Sequence, residues 1–117
     1  MDGRIFGIKE QLGQHFSREW NIDQMASTFG ISAAHFQRLF KQHTGITPMR
    51  YLHSLRLEKA KELIENSYGP IGQIALRVGF ADESRFSRDF KARYGVTPTE
   101  CRREHWRMIQ SATDKCA

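Results

Sequence analysis

Residues 30–41 read Gly30-Ile-Ser-Ala-Ala-His-Phe-Gln-Arg-Leu-Phe-Lys41, and residues 79–91 read Gly79-Phe-Ala-Asp-Glu-Ser-Arg-Phe-Ser-Arg-Asp-Phe-Lys91. Each stretch runs on into Gly-x-Thr-Pro, at Gly45, Thr47, Pro48 and again at Gly95, Thr97, Pro98. The likeness also extends upstream, where Ile22, Gln24, Ala26 and Gly30 return 49 residues later as Ile71, Gln73, Ala75 and Gly79. Past the glycines the offset is 50, carrying Phe36, Arg38, Phe40 and Lys41 onto Phe86, Arg88, Phe90 and Lys91. The chain therefore contains an internal repeat, with one extra residue in the turn of the second copy. A repeat of this period constrains architecture more strongly than any local propensity.

Both copies follow one physical grammar. Ile22, Met25, Ala26 and Phe29 fall at helical spacing, with Asn21 or Asp23 available to satisfy the first free amides. Gly30 then ends that helix at no steric cost. Ser32 is placed to cap the next helix, of about 33–43, whose apolar stripe is Phe36, Leu39 and Phe40. Gly45 closes it, and Thr47 caps a third helix with Pro48 in its first turn, where a missing amide hydrogen is no loss. The second copy repeats this through Ile71, Ile74, Ala75, Val78 and Gly79, then Asp82 as cap, then Phe86 and Phe90 in a helix of about 83–93.

Helix, short glycine-bearing turn, helix is the pattern of a helix-turn-helix unit. Ile5, Ile8 and Leu12 mark another amphipathic helix ahead of the first copy. Between the copies, 48 to about 65 reads as one long helix with Met49, Leu52, Ala60, Leu63 and Ile64 on its apolar side, ended by Asn66, Ser67, Gly69 and Pro70. The expected fold class is all-α. Two three-helix lobes, 5–47 and 70–105, are joined by a linker helix at 48–66, giving about seven helices in a single domain, with 106–117 as a tail.

Composition fits a folded domain of modest core. Hydrophobic residues make up 39% and charged residues 26% of 117, ordinary globular usage that excludes a disordered or fibrous chain. The net charge of +5 suits a polyanionic partner without naming one. Its distribution says more. No acid occurs from Gln24 to Leu57, where Arg38, Lys41, Arg50 and Arg56 lie, and from Ser84 to Arg103 six bases face only Asp89 and Glu100.

Cys101 and Cys116 both lie near the end and cannot staple the rest of the chain, so they read as reduced thiols. With no apolar run near the ~20 residues of a membrane span and no secretory signal at Met1-Asp2-Gly3-Arg4, the expected compartment is the cytoplasm.

The phenylalanines at helical spacing are explained as core. The faces opposite them are not. On the first such helix that face carries Ala34, Gln37, Arg38 and Lys41, and on the second Ser84, Arg85, Ser87, Arg88 and Lys91. Arg pairs bidentately with guanine and Gln with adenine, small side chains permit close approach, and Arg or Lys also holds phosphates.

The two quoted stretches, each with its Gly-x-Thr-Pro, resemble the paired helix-turn-helix units of the AraC/XylS family of bacterial regulators, and the similarity runs from about Ile5 to Arg103. The resemblance implies two lobes whose recognition helices enter successive major-groove segments, about one turn or ~34 Å apart. It puts base reading on Ala34, Gln37, Arg38, Ser84, Arg85 and Arg88, and phosphate contacts on Ser32, Lys41, Arg56, Ser87 and Lys91. The two copies differ at these places, so one monomer reads an asymmetric site. Double-stranded promoter DNA and RNA polymerase are the implied partners, with transcription activated and the protein associated with the nucleoid.

Two positions depart from the family pattern: Ala34 stands where a larger side chain is common, and Cys101 where the closing Pro-x-x-Tyr-Arg pattern has an aromatic. Arg56 interrupts the linker stripe, serving either a phosphate or an acid such as Glu83. The chain is too short to hold the sensor domain that many members add, so it is a stand-alone regulator or a C-terminal segment, and no effector site is expected in it.

Rival readings are weaker. Cys101 and His105, four apart, with Cys116 beyond, lack the paired short spacing of a structural zinc site, so neither a metal nor another cofactor is expected. No phosphate loop, nucleophile elbow or His-Glu-x-x-His motif is present, so no enzyme is expected. A protein-interaction module would bind independently of Arg38 and Arg88. A methyl-accepting repair regulator would need a cysteine cluster, and an RNA binder exposed stacking aromatics.

Overall fold

The computed structural model describes residues 3–116, with side chains described for 3–111. Among these residues the chain is all helix: α1 (Gly3–Gln14), α2 (Ile22–Ser27), α3 (Ala33–Thr44), α4 (Pro48–Asn66), α5 (Ile71–Arg77), α6 (Glu83–Tyr94) and α7 (Pro98–Cys116). The chain forms two compact units, Met1–Arg56 and Leu57–Ala117, so the boundary falls inside α4.

The first unit gathers Ile5, Ile8 and Leu12 of α1, Met25 and Ala26 of α2, Phe36 and Phe40 of α3, and Leu52 of α4 into one buried cluster. Tyr51 and Leu55 pack against it, which centres the buried seam of α4 on Tyr51, Leu52 and Leu55. Met49, expected on the apolar side, is 38% exposed. The α4 seam therefore follows the core of each unit in turn, with Leu57, Ala60 and Ile64 buried in the second.

The turns match their chemistry. Asn21, one of the two candidate caps, accepts from the Gln24 amide at 2.7 Å while the Gln24 side chain accepts from the Asn21 amide at 3.3 Å, a capping box that fixes the start of α2. At the ends of α2 and α5 the chain reverses through left-handed Gly30 (φ 68°) and Gly79 (φ 108°), a conformation that strains any residue with a Cβ. Ile31 N–H and Phe80 N–H then donate to the carbonyls of Ala26 and Ala75, five residues back, closing both turns alike. The extra residue of the second copy lies between Gly79 and the cap at Asp82.

In the second unit Ile74, Ala75, Val78, Phe80, Phe86, Phe90 and Cys101 are buried with the α4 residues. The N-cap of α5 is Pro70, whose side chain makes no cap hydrogen bond. Instead the Glu83 carboxylate lies over the first turn of α5, so close that a Cβ at Gly72 would sit 2.9 Å from Glu83 Oε2. Negative charge at that end complements the helix dipole.

Of the residues expected as a tail, 106–116 continue α7, which runs unbroken from Pro98 to Cys116. Its anchor is the end of α4, whose last carbonyls would otherwise lack partners. The carbonyls of Glu62 and Leu63 accept from Asn66 Nδ2 (2.8 Å) and Ser67 Oγ (2.6 Å). Those of Ile64 and Glu65 accept from Arg102 Nε (2.9 Å) and Trp106 Nε1 (3.0 Å), both on α7. Arg102 Nη2 is buried with no hydrogen-bond partner, and the guanidinium lies 5.6 Å from the Trp106 ring, whose face offsets part of that cost.

Trp106→Phe, which keeps an aromatic ring and removes the donor, is expected to lower stability by about 1 kcal/mol in urea unfolding. An unchanged midpoint would remove this bond from the account. At Cys101, burial and the neighbouring Glu65 carboxylate push the thiol pKa up, so the group is a neutral, inert part of the core.

Candidate nucleic-acid interface

Helix α3 is fixed in rotation by what it buries. Phe36 and Phe40 are fully buried, and the rings of Phe29, Phe40 and Tyr51 extend the stack, with Phe29–Phe36 centroids 6.4 Å apart and Phe40–Tyr51 5.5 Å apart. Its ends are set by the Ser32 hydroxyl, which accepts from the His35 amide at 3.2 Å, and by left-handed Gly45. With that side committed to the core, Ala34, His35, Gln37, Arg38, Lys41 and Gln42 are exposed. Arg38 and Lys41 have no protein partner among the described residues. Their charges are therefore available to a ligand.

Helix α6 is built the same way. The Asp82 carboxylate accepts from the Arg85 amide at 2.7 Å, Gly95 closes the helix in a left-handed conformation, and Phe86 and Phe90 are fully buried. Ser84, Arg85, Arg88 and Lys91 are exposed, while Ser87 is half-buried. Arg88 and Lys91 have no protein partner among the described residues. Arg85 is different, since its Nε lies 3.9 Å from Asp89 Oδ2 one turn on.

Each unit thus presents one helix whose outer face carries the expected base-reading residues, Ala34, Gln37 and Arg38 on α3 and Ser84, Arg85 and Arg88 on α6. Lys41, Lys91 and Ser32 are exposed near them. Gln42, which sequence reasoning passed over, is also exposed one turn beyond Arg38, and its i+4 spacing was the available signal.

Arg56, expected at a phosphate or an acid, donates from Nε to the Phe16 carbonyl and from Nη2 to the Arg18 carbonyl, both at 2.8 Å. These carbonyls lie in the turn that follows α1, outside any helix ladder. Burial lowers the Arg56 pKa from its ordinary value, and the two carbonyls offset the lost hydration. Glu83, the acid expected as its alternative partner, lies over Gly72.

Two more residues counted in the basic second stretch are also engaged within their own unit. Arg93 pairs with Glu58 at 3.0 Å and lies 5.5 Å from the Tyr94 ring, and Arg102 is turned to Ile64. On α6 the exposed bases other than Arg93 are therefore Arg85, Arg88 and Lys91. Of the cysteine and histidine set weighed for a metal, Cys101 and His105 each approach Glu65 at 3.9 Å, and the Cys116 side chain lies outside the described residues.

Comparison with known proteins agrees with this geometry. The model of the helix-turn-helix domain family matches residues 25–104. The transcriptional activator RhaS of Escherichia fergusonii is 39% identical over 101 residues, covering 86% of this chain and 36% of RhaS. The chain thus spans a little over a third of the length of the curated relatives it matches. Among solved structures, the C-terminal domain of AraT, a response regulator from Geobacillus stearothermophilus, superposes with TM-score 0.83 at 32% identity, covering 88% of this chain and 86% of that one. The DNA-binding domain of AdpA, solved in complex with a target DNA, shares the fold at TM-score 0.83 and 22% identity, over 87% of this chain and 92% of that one. With two such motifs in one all-helical chain, this protein belongs to the AraC-type helix-turn-helix domain family.

Proposed function

We infer that the protein binds duplex promoter DNA in a sequence-specific way and regulates bacterial transcription through it, by activation and with RNA polymerase as protein partner. The observation that carries this reading is the pair of equivalent helices, each with a buried Phe-Phe stripe and, on the opposite face, an unpartnered Arg and Lys: Arg38 and Lys41, Arg88 and Lys91. A face built only to fill a core has no use for four unpaired cations. Kinship with a transcriptional activator and with the C-terminal domain of a response regulator supports the regulatory half, and the cytoplasm, at the nucleoid, is the compartment in which such a role operates.

In this reading α3 and α6 enter successive major-groove segments, and the site is asymmetric because the base-reading sets differ, Ala34, Gln37 and Arg38 on α3 against Ser84, Arg85 and Arg88 on α6. Ser32, Lys41, Ser87 and Lys91 hold phosphates and set register. The test is selection of bound duplexes from a random pool at near-physiological salt. Recovery of an asymmetric motif with two half-elements about one helical turn apart supports the reading. Weak, sequence-blind binding would reduce it to a non-specific DNA binder, and no binding would favour a protein-interaction module.

The lysines should behave differently from the arginines. Lys41→Ala and Lys91→Ala are each expected to weaken binding to every duplex alike and to reduce the slope of log affinity against log salt by about 1. A titration series over salt checks this, and an unchanged slope would take that lysine out of the interface.

A further inference from the structure

We propose that Asp89 is a positioning residue for base reading, holding the Arg85 guanidinium so that its two Nη groups face one guanine. The proposal rests on the DNA-binding reading above and concerns how the second helix acquires its selectivity. Three observations carry it.

The first is geometry. The carboxylate meets Arg85 from Nε, with Asp89 Oδ2 3.9 Å away, and no other side chain among the described residues engages that guanidinium. Arginine has five N–H donors in a planar fork. Contact on the Nε side leaves the outer edge, with its two Nη groups, free for the bidentate contact that distinguishes guanine O6 and N7.

The second is comparison within the repeat. Through the 50-residue offset, Arg85 and Asp89 correspond to His35 and Leu39. Leu39 is half-buried and packs against the core of its unit. At the matching half-buried position the second copy carries a carboxylate, giving up apolar burial. The change from leucine to aspartate coincides with the appearance of arginine one turn earlier.

The third is electrostatics. A carboxylate beside a face meant for a polyanion weakens attraction to every phosphate nearby. Such a group lowers general affinity, and its contact with Arg85 gives it a use in discrimination. In water an exposed i, i+4 pair does little, since Arg85 is 65% exposed. In a groove from which water is displaced, the same pair restricts the rotamers of a long side chain before it meets the base, and it penalises any base that cannot accept from both Nη groups.

The experiment measures binding of the full chain to the duplex selected by wild type and to its single-base-pair variants. Asp89→Asn is compared with Arg85→Ala, with Asp89→Glu and with the Arg85→Ala, Asp89→Asn double change. Asp89→Asn is expected to relax preference at one base pair, the pair relaxed by Arg85→Ala, by about threefold to tenfold. It should also tighten binding to mismatched duplexes, while the double change adds no further relaxation at that pair and Asp89→Glu retains the preference. If Asp89→Asn tightens binding on all duplexes equally with preference intact, or relaxes a pair that Arg85 does not read, the proposal is overturned. If wild type itself shows no base preference, the DNA-reading function falls and this inference with it; a selective wild type with an indifferent Asp89→Asn overturns the inference alone.

Discussion

Replacing Arg38 and Arg88 together by alanine is expected to weaken binding to the cognate duplex by about 2–6 kcal/mol, each loss being the ~1–3 kcal/mol of a bidentate base contact. The two should add, because the residues lie on different helices in different compact units and share no partner. The expected result has a second part: each single change relaxes preference in its own half of the site. Arg38→Ala blurs one half-element and Arg88→Ala the other. Folding should be untouched, within about 0.5 kcal/mol, because both side chains are exposed and have no protein partner among the described residues.

Competition binding on half-site variants, with urea unfolding of the same proteins, checks all three statements. Equal weakening on every sequence would show that the arginines hold phosphates, and the base-reading assignment would be withdrawn. A fall in stability matching the fall in affinity would make the effect structural.

Much of this frame was legible in the sequence because it is written in short-range chemistry. A capping side chain acts three residues away, as Ser32 does on the His35 amide and Asp82 on the Arg85 amide, so both helix starts could be placed from local spacing alone. The buried stripes were equally local, with Phe36 and Phe40 one turn apart and repeated in Phe86 and Phe90. Once these sides are inside, the charged faces follow by rotation.

What escaped is what acts across about 40 residues of chain on groups with no side-chain signature. Arg56 reaches the carbonyls of Phe16 and Arg18, and Arg102 and Trp106 reach those of Ile64 and Glu65. Every residue offers a carbonyl, so nothing in residue identity marks those four as acceptors. Trp106, where the expected tail begins, is of the same kind, since it joins the fold through the carbonyl it caps. The exposure of Met49 has a related cause: α4 serves two cores, so no single apolar stripe runs its whole length.

The largest effect on stability is expected at Phe86. Its side chain is fully buried, with ring centroids 5.0 Å from Phe80 and 5.6 Å from Phe90, and Phe90 continues to Tyr94 at 4.7 Å. Phe86→Ala removes the middle of this chain of rings and leaves a cavity among side chains fixed by helix ends on both sides. The expected loss is about 3–5 kcal/mol, a large share of the ~5–15 kcal/mol by which a domain is usually stable. Phe86→Leu refills most of the volume and should cost much less. Urea unfolding of the two variants decides the point, and a loss below about 1 kcal/mol for alanine would mean that the site collapses without harm.

The functional consequence separates this variant from Arg88→Ala. Phe86 fixes the rotation of the helix that presents Arg85 and Arg88, so its removal should blur the second half-element only as the unit loosens, with affinity recovering on cooling towards the temperature of maximum stability. Arg88→Ala should lose the same half-element at every temperature with the fold intact. That difference in temperature response distinguishes the residue that aims the helix from the residue that reads the base.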